Sequence, residues 1–406
     1  MRHWEERLWK WMRRNILWIC CAAVVLLGFL IRYWYLPQET HDLNHYYALW
    51  IEQFERFGLS AAFVPKNEFD YSMAFAGIFI LYAKVFGSVN VPLLIKLTNC
   101  LLEMVTVGLC LAMLLSLLPK ERRPAALLTG LTVLWLNPIM IWNAIAWGQT
   151  DVYYLMISVL TVFLLIRNKP VWALLCLSIG IALKLQTIFL LPLFVMAWFC
   201  GPKKFSCLWF LMIPAAIVVT GLPALLIGES PLATVDAYLF QGGDFKGLAV
   251  NKHNLYTVIG SAAAYVSEET LGMFSRTSMV LCMAALGGMA VWLIARRAVW
   301  TGRGTLLLAA WCVLCCNFLL PRMHERYAIV GEILLCCWAV CLWKPRGFLY
   351  ILCMLLPTLS TYSHLLYAST FLNGQVGGVI NLCLFCAVTW ETLREMRGPG
   401  AEAVPS

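Results

Sequence analysis

The chain has 406 residues, of which 62% are hydrophobic and 13% charged, with a formal net charge of +9. Soluble domains carry roughly 25% charged residues, so this composition excludes a soluble globular protein and points to an integral membrane one. The positive balance does not indicate nucleic acid, because the basic residues lie in short loops beside apolar runs, where membrane topology accounts for them.

In chain order, Arg2, Arg7, Lys10, Arg13 and Arg14 lead into an apolar run over 16–36 with no small-residue cleavage site behind it. A retained anchor is expected there rather than a signal peptide. A long loop over 37–72 follows, carrying Glu39, Asp42, Glu52, Glu55, Glu68 and Asp70. The run 73–87 would make a helix of only about 22 Å, short of the ~30 Å hydrocarbon core. If it crossed, Lys120, Arg122 and Arg123 would fall on the side opposite the basic N-terminus, so a flat interfacial helix is expected.

Spans are predicted over 92–118, 124–142 and 150–166. The apolar run 171–200 has basic residues at both ends, Arg167 and Lys169 before it and Lys203 and Lys204 after it. Both ends therefore belong on the cytoplasmic side, which requires two short passes meeting near Lys184-Leu185-Gln186. Irregular backbone at that depth is tolerated where it lines a cavity or is buried in protein, and this places Lys184 and Gln186 at one. Further spans are predicted over 206–227, 273–295, 304–320, 325–342, 347–367 and 377–392. The expected architecture is an all-α polytopic membrane protein of about twelve transmembrane helices with both termini cytoplasmic. A single domain over 1–397 is expected, followed by a disordered tail over 398–406. All seventeen Cys lie in or beside apolar runs, so packing outweighs a disulfide, metal or redox role, even for the CxxC spacings Cys312/Cys315 and Cys383/Cys386.

With this topology five polar groups share the outer side. They are His41-Asp42; Trp147-Gly148-Gln149-Thr150-Asp151; Lys184 with Gln186; Asn251-Lys252-His253-Asn254; and Pro321-Arg322-Met323-His324-Glu325-Arg326-Tyr327. Charge at membrane depth is costly, on the order of 2.5–3.5 kcal/mol per residue. Such a collection therefore suggests an embedded active site or a transport pathway. Lys96 and Glu103, by contrast, look like packing polarity within the membrane.

The acidic first outer loop, WGQTD after Asn137-Pro138, Lys184-Leu185-Gln186 followed by LLPL over 190–193, and PRMHERY together resemble polytopic glycosyltransferases of the GT-C fold, in particular bacterial membrane proteins related to the GPI mannosyltransferases. The resemblance covers most of residues 1–330. Where relatives often carry a Tyr-Pro-Pro run before the flat helix, this chain has Phe69-Asp70-Tyr71-Ser72-Met73.

The resemblance implies an inverting enzyme that moves a sugar, mannose by kinship, from a polyprenyl-phosphate donor to a glycan, lipid or protein acceptor. It implies that Asp42 is the base that takes the acceptor proton. Lys184, Arg322 and Arg326 become candidates for the phosphate, with His324 as a hydrogen-bonding partner and Glu325 holding an arginine. Asp151 and Gln149 are candidates for sugar hydroxyls or a second acidic role. Gln186, His253 and Asn254 are candidates for supporting or donor contacts. A divalent cation could sit between Asp42 and Asp151, although no ligand spacing demands one. The implied setting is a bacterial plasma membrane with the site on its outer face. A multi-pass transporter or lipid-linked sugar flippase is the competing expectation, since broken helices near the midplane are common in transporters.

Overall fold

Acidic side chains favour a helix N-terminus, and Glu5 and Glu6 lie in the first turn of α1 (His3–Tyr35), which therefore begins well before the apolar run. The computed structural model describes residues 3–87, 90–239, 247–260 and 267–397, so the expected disordered tail lies outside the described residues. After α1 a π-helical turn, Asp42–Tyr47, runs into α2 (Ala48–Phe57). Ser72 then caps α3 (Met73–Phe86) by accepting from the Phe75 amide. Helices α2 and α3 pack through Tyr47, Trp50, Phe54, Phe75 and Phe79, an aromatic core separate from the main one.

The main bundle begins with α4 (Val91–Leu117) and α5 (Arg123–Trp135), followed by the single turn α6 (Pro138–Ile141), set off by Pro138. A second π-helical turn, Trp142–Trp147, leads by way of Gly148 to α7 (Asp151–Ile166) and α8 (Pro170–Leu183). The expected break falls where the charge parity put it. Helix α8 stops, Lys184 is extended at φ −147°, and a 3₁₀ turn over Leu185–Leu190 precedes α9 (Leu191–Cys200). Gly180 leaves room for Thr187 of that turn to fold back on α8, since an added Cβ would come within 2.7 Å of it.

The rest comprises α10 (Met212–Leu226), α11 (Pro231–Leu239), the two-residue strand β1 (Ala249–Val250), α12 (Leu255–Val258), α13 (Glu268–Ala295), α14 (Gly302–Leu319), β2 (Met323–His324), α15 (Ile329–Leu342), α16 (Pro345–Tyr367) and α17 (Gly374–Arg397). Strand β1 pairs in parallel with β2, Ala249 opposite Met323 and Val250 opposite His324, which clips the PRMHERY connection to the preceding loop.

Among the described residues, eight helices are long and apolar enough to cross a membrane. Shorter apolar ones are Met73–Phe86, Asp151–Ile166, Pro170–Leu183, Leu185–Cys200 and Ile329–Leu342. The chain is an all-helical polytopic membrane protein.

Side-chain contacts group the helix ends into two faces. On one, Lys96 donates to the carbonyls of Tyr35 and Leu36 at 2.9 and 3.2 Å, Asn143 to the Tyr362 hydroxyl at 3.3 Å, and Asn381 to His253 O at 2.7 Å. On the other, Gly302 packs against Leu117 and Ile166, the Val299 amide donates to Met396 O at 2.9 Å, and Arg303 pairs with Glu395 at 2.6 Å. Because the end of α1 and the start of α4 share a face, residues 36–90 leave and return on that face, so α3 adds no net crossing. Lys96 thus caps a chain end. Glu103 takes Arg32 at 2.9 Å inside the bundle.

Candidate active site

The two π-helical turns stand side by side. Thr40 Oγ1 donates to Trp147 O at 2.7 Å, and Leu43 rests on Gly148. A π-turn carries an extra residue per turn and occurs mostly as an isolated feature, often at functional sites. Here the turns present Asp42 and Trp147 to each other. Trp147 Nε1 donates to Asp42 Oδ2 at 3.0 Å, and Gln149 Nε2 donates to the same oxygen. Gln149 is itself held, its Oε1 accepting from Tyr47 Oη at 3.1 Å. Gly148 sits at φ +83°, and an added Cβ would fall 2.6 Å from the Leu43 side chain. Gly148→Ala is therefore expected to cost about 1–3 kcal/mol in backbone strain alone. Thermal unfolding measures the loss, and Leu43→Ala in the same chain should relieve the contact but leave the backbone strain in place.

The opposite wall is the PRMHERY connection. Arg326 Nε lies 3.6 Å from Asp151 Oδ2, and its Nη1 lies 3.3 Å from Glu325 Oε1. The guanidinium stands 5.3 Å from the Trp147 ring centroid, within cation–π range. One indole thus joins the acid to the cation.

Both groups open on a cavity of about 1070 Å³, which is also lined by Gln149, His324, Glu325 and the Tyr46, Trp50 and Tyr71 side chains. Burial, reinforced by Arg326 and Lys184, pushes the His324 imidazole down to about 2, so it faces the cavity neutral. Burial raises the Glu325 carboxyl against the pull of Arg326.

Several expected site residues lie elsewhere. Asp151, expected to be catalytic, is fully buried and does not line the cavity. Its Oδ1 takes Lys184, and its Oδ2 takes Asn143 at 2.9 Å as well as Arg326. Of those partners Arg326 lines the cavity. Lys184, expected at the phosphate, is buried behind the cavity wall, 5.3 Å from the Tyr71 ring centroid. Gln186 is buried in the 3₁₀ turn.

Arg322 has a left-handed backbone at φ 58°, and its amide donates to Leu248 O at 3.0 Å; it flanks the cavity rather than lining it. Asn254 caps α12 by accepting from the Tyr256 amide at 3.1 Å. His253 meets Gly374 O at 3.2 Å, and neither residue reaches the cavity. A cation shared by Asp42 and Asp151 does not fit, because both oxygens of Asp151 are already engaged by cationic or amide groups. Among the described residues no group of three His, Cys, Asp or Glu is placed to hold a metal.

The geometry also adds residues. Trp147 and Tyr71 lie within WGQTD and Phe69-Asp70-Tyr71-Ser72-Met73, where the sequence alone assigns them no role. The Tyr71 hydroxyl bonds to that of Tyr47 at 2.8 Å and accepts from Thr150 Oγ1 at 3.3 Å. Asp236 of α11 reaches the rim of the cavity with no sequence signal to mark it.

An acid and a guanidinium sharing one cavity in a polytopic helical membrane protein are the mark of an embedded reaction site or a transport pathway. The chain belongs to glycosyltransferase family 87, whose family model matches residues 75–321, more than half of its length. It is a membrane glycosyltransferase, consistent with the GT-C resemblance, and this decides between transferase and transporter. The match takes in Gln149, Asp151 and Lys184 and stops short of Asp42 and Arg326, whose place at the site rests on the geometry. No curated protein matches the chain.

Proposed function

We propose that the enzyme transfers a sugar, mannose in the first instance, from a polyprenyl-phosphate donor to a hydroxyl of a glycan, lipid or protein acceptor, with inversion at the anomeric carbon. The observation that carries this reading is Trp147, whose N–H holds Asp42 while its ring faces Arg326. Both donors to Asp42 address Oδ2, so Oδ1 is the oxygen assigned to the acceptor proton. As the acceptor oxygen attacks, the bond from the anomeric carbon to the phosphate oxygen breaks. The electron pair leaves with the phosphate, where Arg326 meets it and neutral His324 can donate a hydrogen bond.

Two further features support a lipid-borne donor and an outer site. An almost wholly apolar trough of about 360 Å³ runs between α3, α8 and α10, beside the Ser72 to Leu183 hydrogen bond that borders the site, and suits an isoprenoid chain. The face opposite the site carries Arg122, Arg123, Arg167, Lys169, Lys344 and Arg346, a bias that favours the cytoplasm.

Reconstituted protein given polyprenyl-phosphate mannose should transfer the sugar. Arg326→Met should raise the KM for the donor by roughly tenfold to a hundredfold, the worth of a hydrogen-bonded charge. In this variant Asp151 keeps Lys184, and the Glu325 carboxyl, already raised by burial, can take up a proton once its arginine is gone; a thermal melt checks that the variant is folded. An unchanged donor KM would remove Arg326 from the phosphate site.

A further inference from the structure

Behind the PRMHERY connection lies a second polar cluster that the proposed chemistry does not use. A cavity of about 30 Å³ is lined by Lys252, His253, Asn317, Glu332 and Asn381, with apolar side chains from α14, α16 and α17 closing it. Three buried acceptors face it. Asn317 Nδ2 donates to Val313 O at 2.9 Å and Tyr327 O at 3.3 Å, which fixes the amide and turns Oδ1 inward. His253 Nδ1 faces a carbonyl, Gly374 O, and must carry the ring proton, so Nε2 presents a lone pair. Glu332 Oε1 accepts from Thr358 at 2.7 Å and from Lys252 at 3.4 Å, leaving Oε2. Among the described residues Oδ1, Nε2 and Oε2 of these three side chains have no hydrogen-bond partner.

Orphaned acceptors at this burial are costly, and the missing partner must be a donor. A cation is disfavoured by the Lys252 ammonium on the same wall. Water fits. It needs roughly 10–15 Å³ and two to four polar partners, and the ammonium has a third N–H beyond those directed at Glu332 and at Glu325 O, the latter at 3.3 Å.

We propose that Lys252, His253, Asn317 and Glu332 enclose a buried water site that fastens the Glu325–Arg326 turn from behind. The turn is gripped twice from this cluster, by Lys252 at Glu325 O and by Asn317 at Tyr327 O. The water completes the cluster by joining acceptors that do not reach one another. Lys252 and Glu332 are thus positioning residues for Arg326; this part of the inference rests on Arg326 binding the donor phosphate, whereas the water site does not.

A high-resolution cryo-EM map of the wild-type protein should show ordered water within hydrogen-bonding distance of at least two of the three acceptors. In Glu332→Gln, amide hydrogen exchange over 323–329 should quicken roughly tenfold, the worth of one charged hydrogen bond. Donor KM should rise while kcat changes little. Asn317→Ser, which releases Tyr327 O without altering charge, is a second variant should the first fail to fold. Absence of density, or unchanged exchange in a folded variant, overturns the inference. Faster exchange with ordered water but unchanged KM keeps the water site and the fastening and overturns the positioning role of Lys252 and Glu332. Failure of the phosphate reading itself is read separately, from an unchanged donor KM in Arg326→Met.

Discussion

Asp42→Asn is expected to lower sugar transfer by roughly 10²–10⁴-fold, the range a positioned general base contributes, while the protein remains folded. The substitution is isosteric, and an amide oxygen can still accept from Trp147 Nε1 and Gln149 Nε2, so the two π-helical turns keep their mutual contact. What it removes is the proton acceptor. Turnover of radiolabelled donor in proteoliposomes, beside a thermal melt in detergent, separates the two effects. Activity within about tenfold of wild type would assign the base elsewhere, among the other carboxylates that line the cavity, Glu68, Asp70, Asp236 and Glu325.

The second large effect concerns stability. Asp151→Asn strips the counter-charge from Lys184 and, in part, from Arg326, and breaking a buried pair by removing one partner typically costs about 3–5 kcal/mol. Lys184 is almost completely buried, so it has no route to solvent. Asp151→Asn with Lys184→Met should recover at least half of the lost stability, because neither side chain is then charged and stranded. Transfer should stay low in the double variant, since Arg326 has lost its Nε partner. Unfolding midpoints of the single and double variants decide the matter. An undiminished midpoint in Asp151→Asn would show that the pair is not a stabilising element.

Much of the architecture was legible because a bilayer leaves a chain few choices. Apolar run length indicates the spans, and basic flanks set the side on which each begins. That parity argument located the break at Lys184 and required residues 36–90 to leave and return on one face, as the contact of Lys96 with Tyr35 bears out. The partners were less legible. In sequence Lys184 is a candidate for phosphate, because nothing there ties it to Asp151, 33 positions earlier. Asp151 begins a helix, and an acid there suits a cap as well as a catalyst, so only its burial reveals an ion-pair anchor. The π-helical turns carry no pattern that distinguishes them from α-helix, and the meeting of Asp42 with Trp147 depends on both. A polar loop between spans makes His253 and Asn254 candidates for ligand contacts in sequence; in the structure one lines the rear cavity and the other caps a short helix.

Three of the helices that end at the site are short. Helix α7 starts at Asp151, α8 stops before Lys184 and α15 starts just after Tyr327, with 16, 14 and 14 residues. At 1.5 Å per residue they reach only about 21–24 Å, against a hydrocarbon core of ~30 Å. Around them stand α1, α4, α13 and α16, each of 23 residues or more. The protein therefore has a recessed centre within a longer perimeter, and α15, buried along its whole length, meets protein rather than lipid. For the polyprenyl-phosphate donor proposed above, such a recess would let the lipid keep its tail in hydrocarbon while its phosphate settles inward toward Arg326.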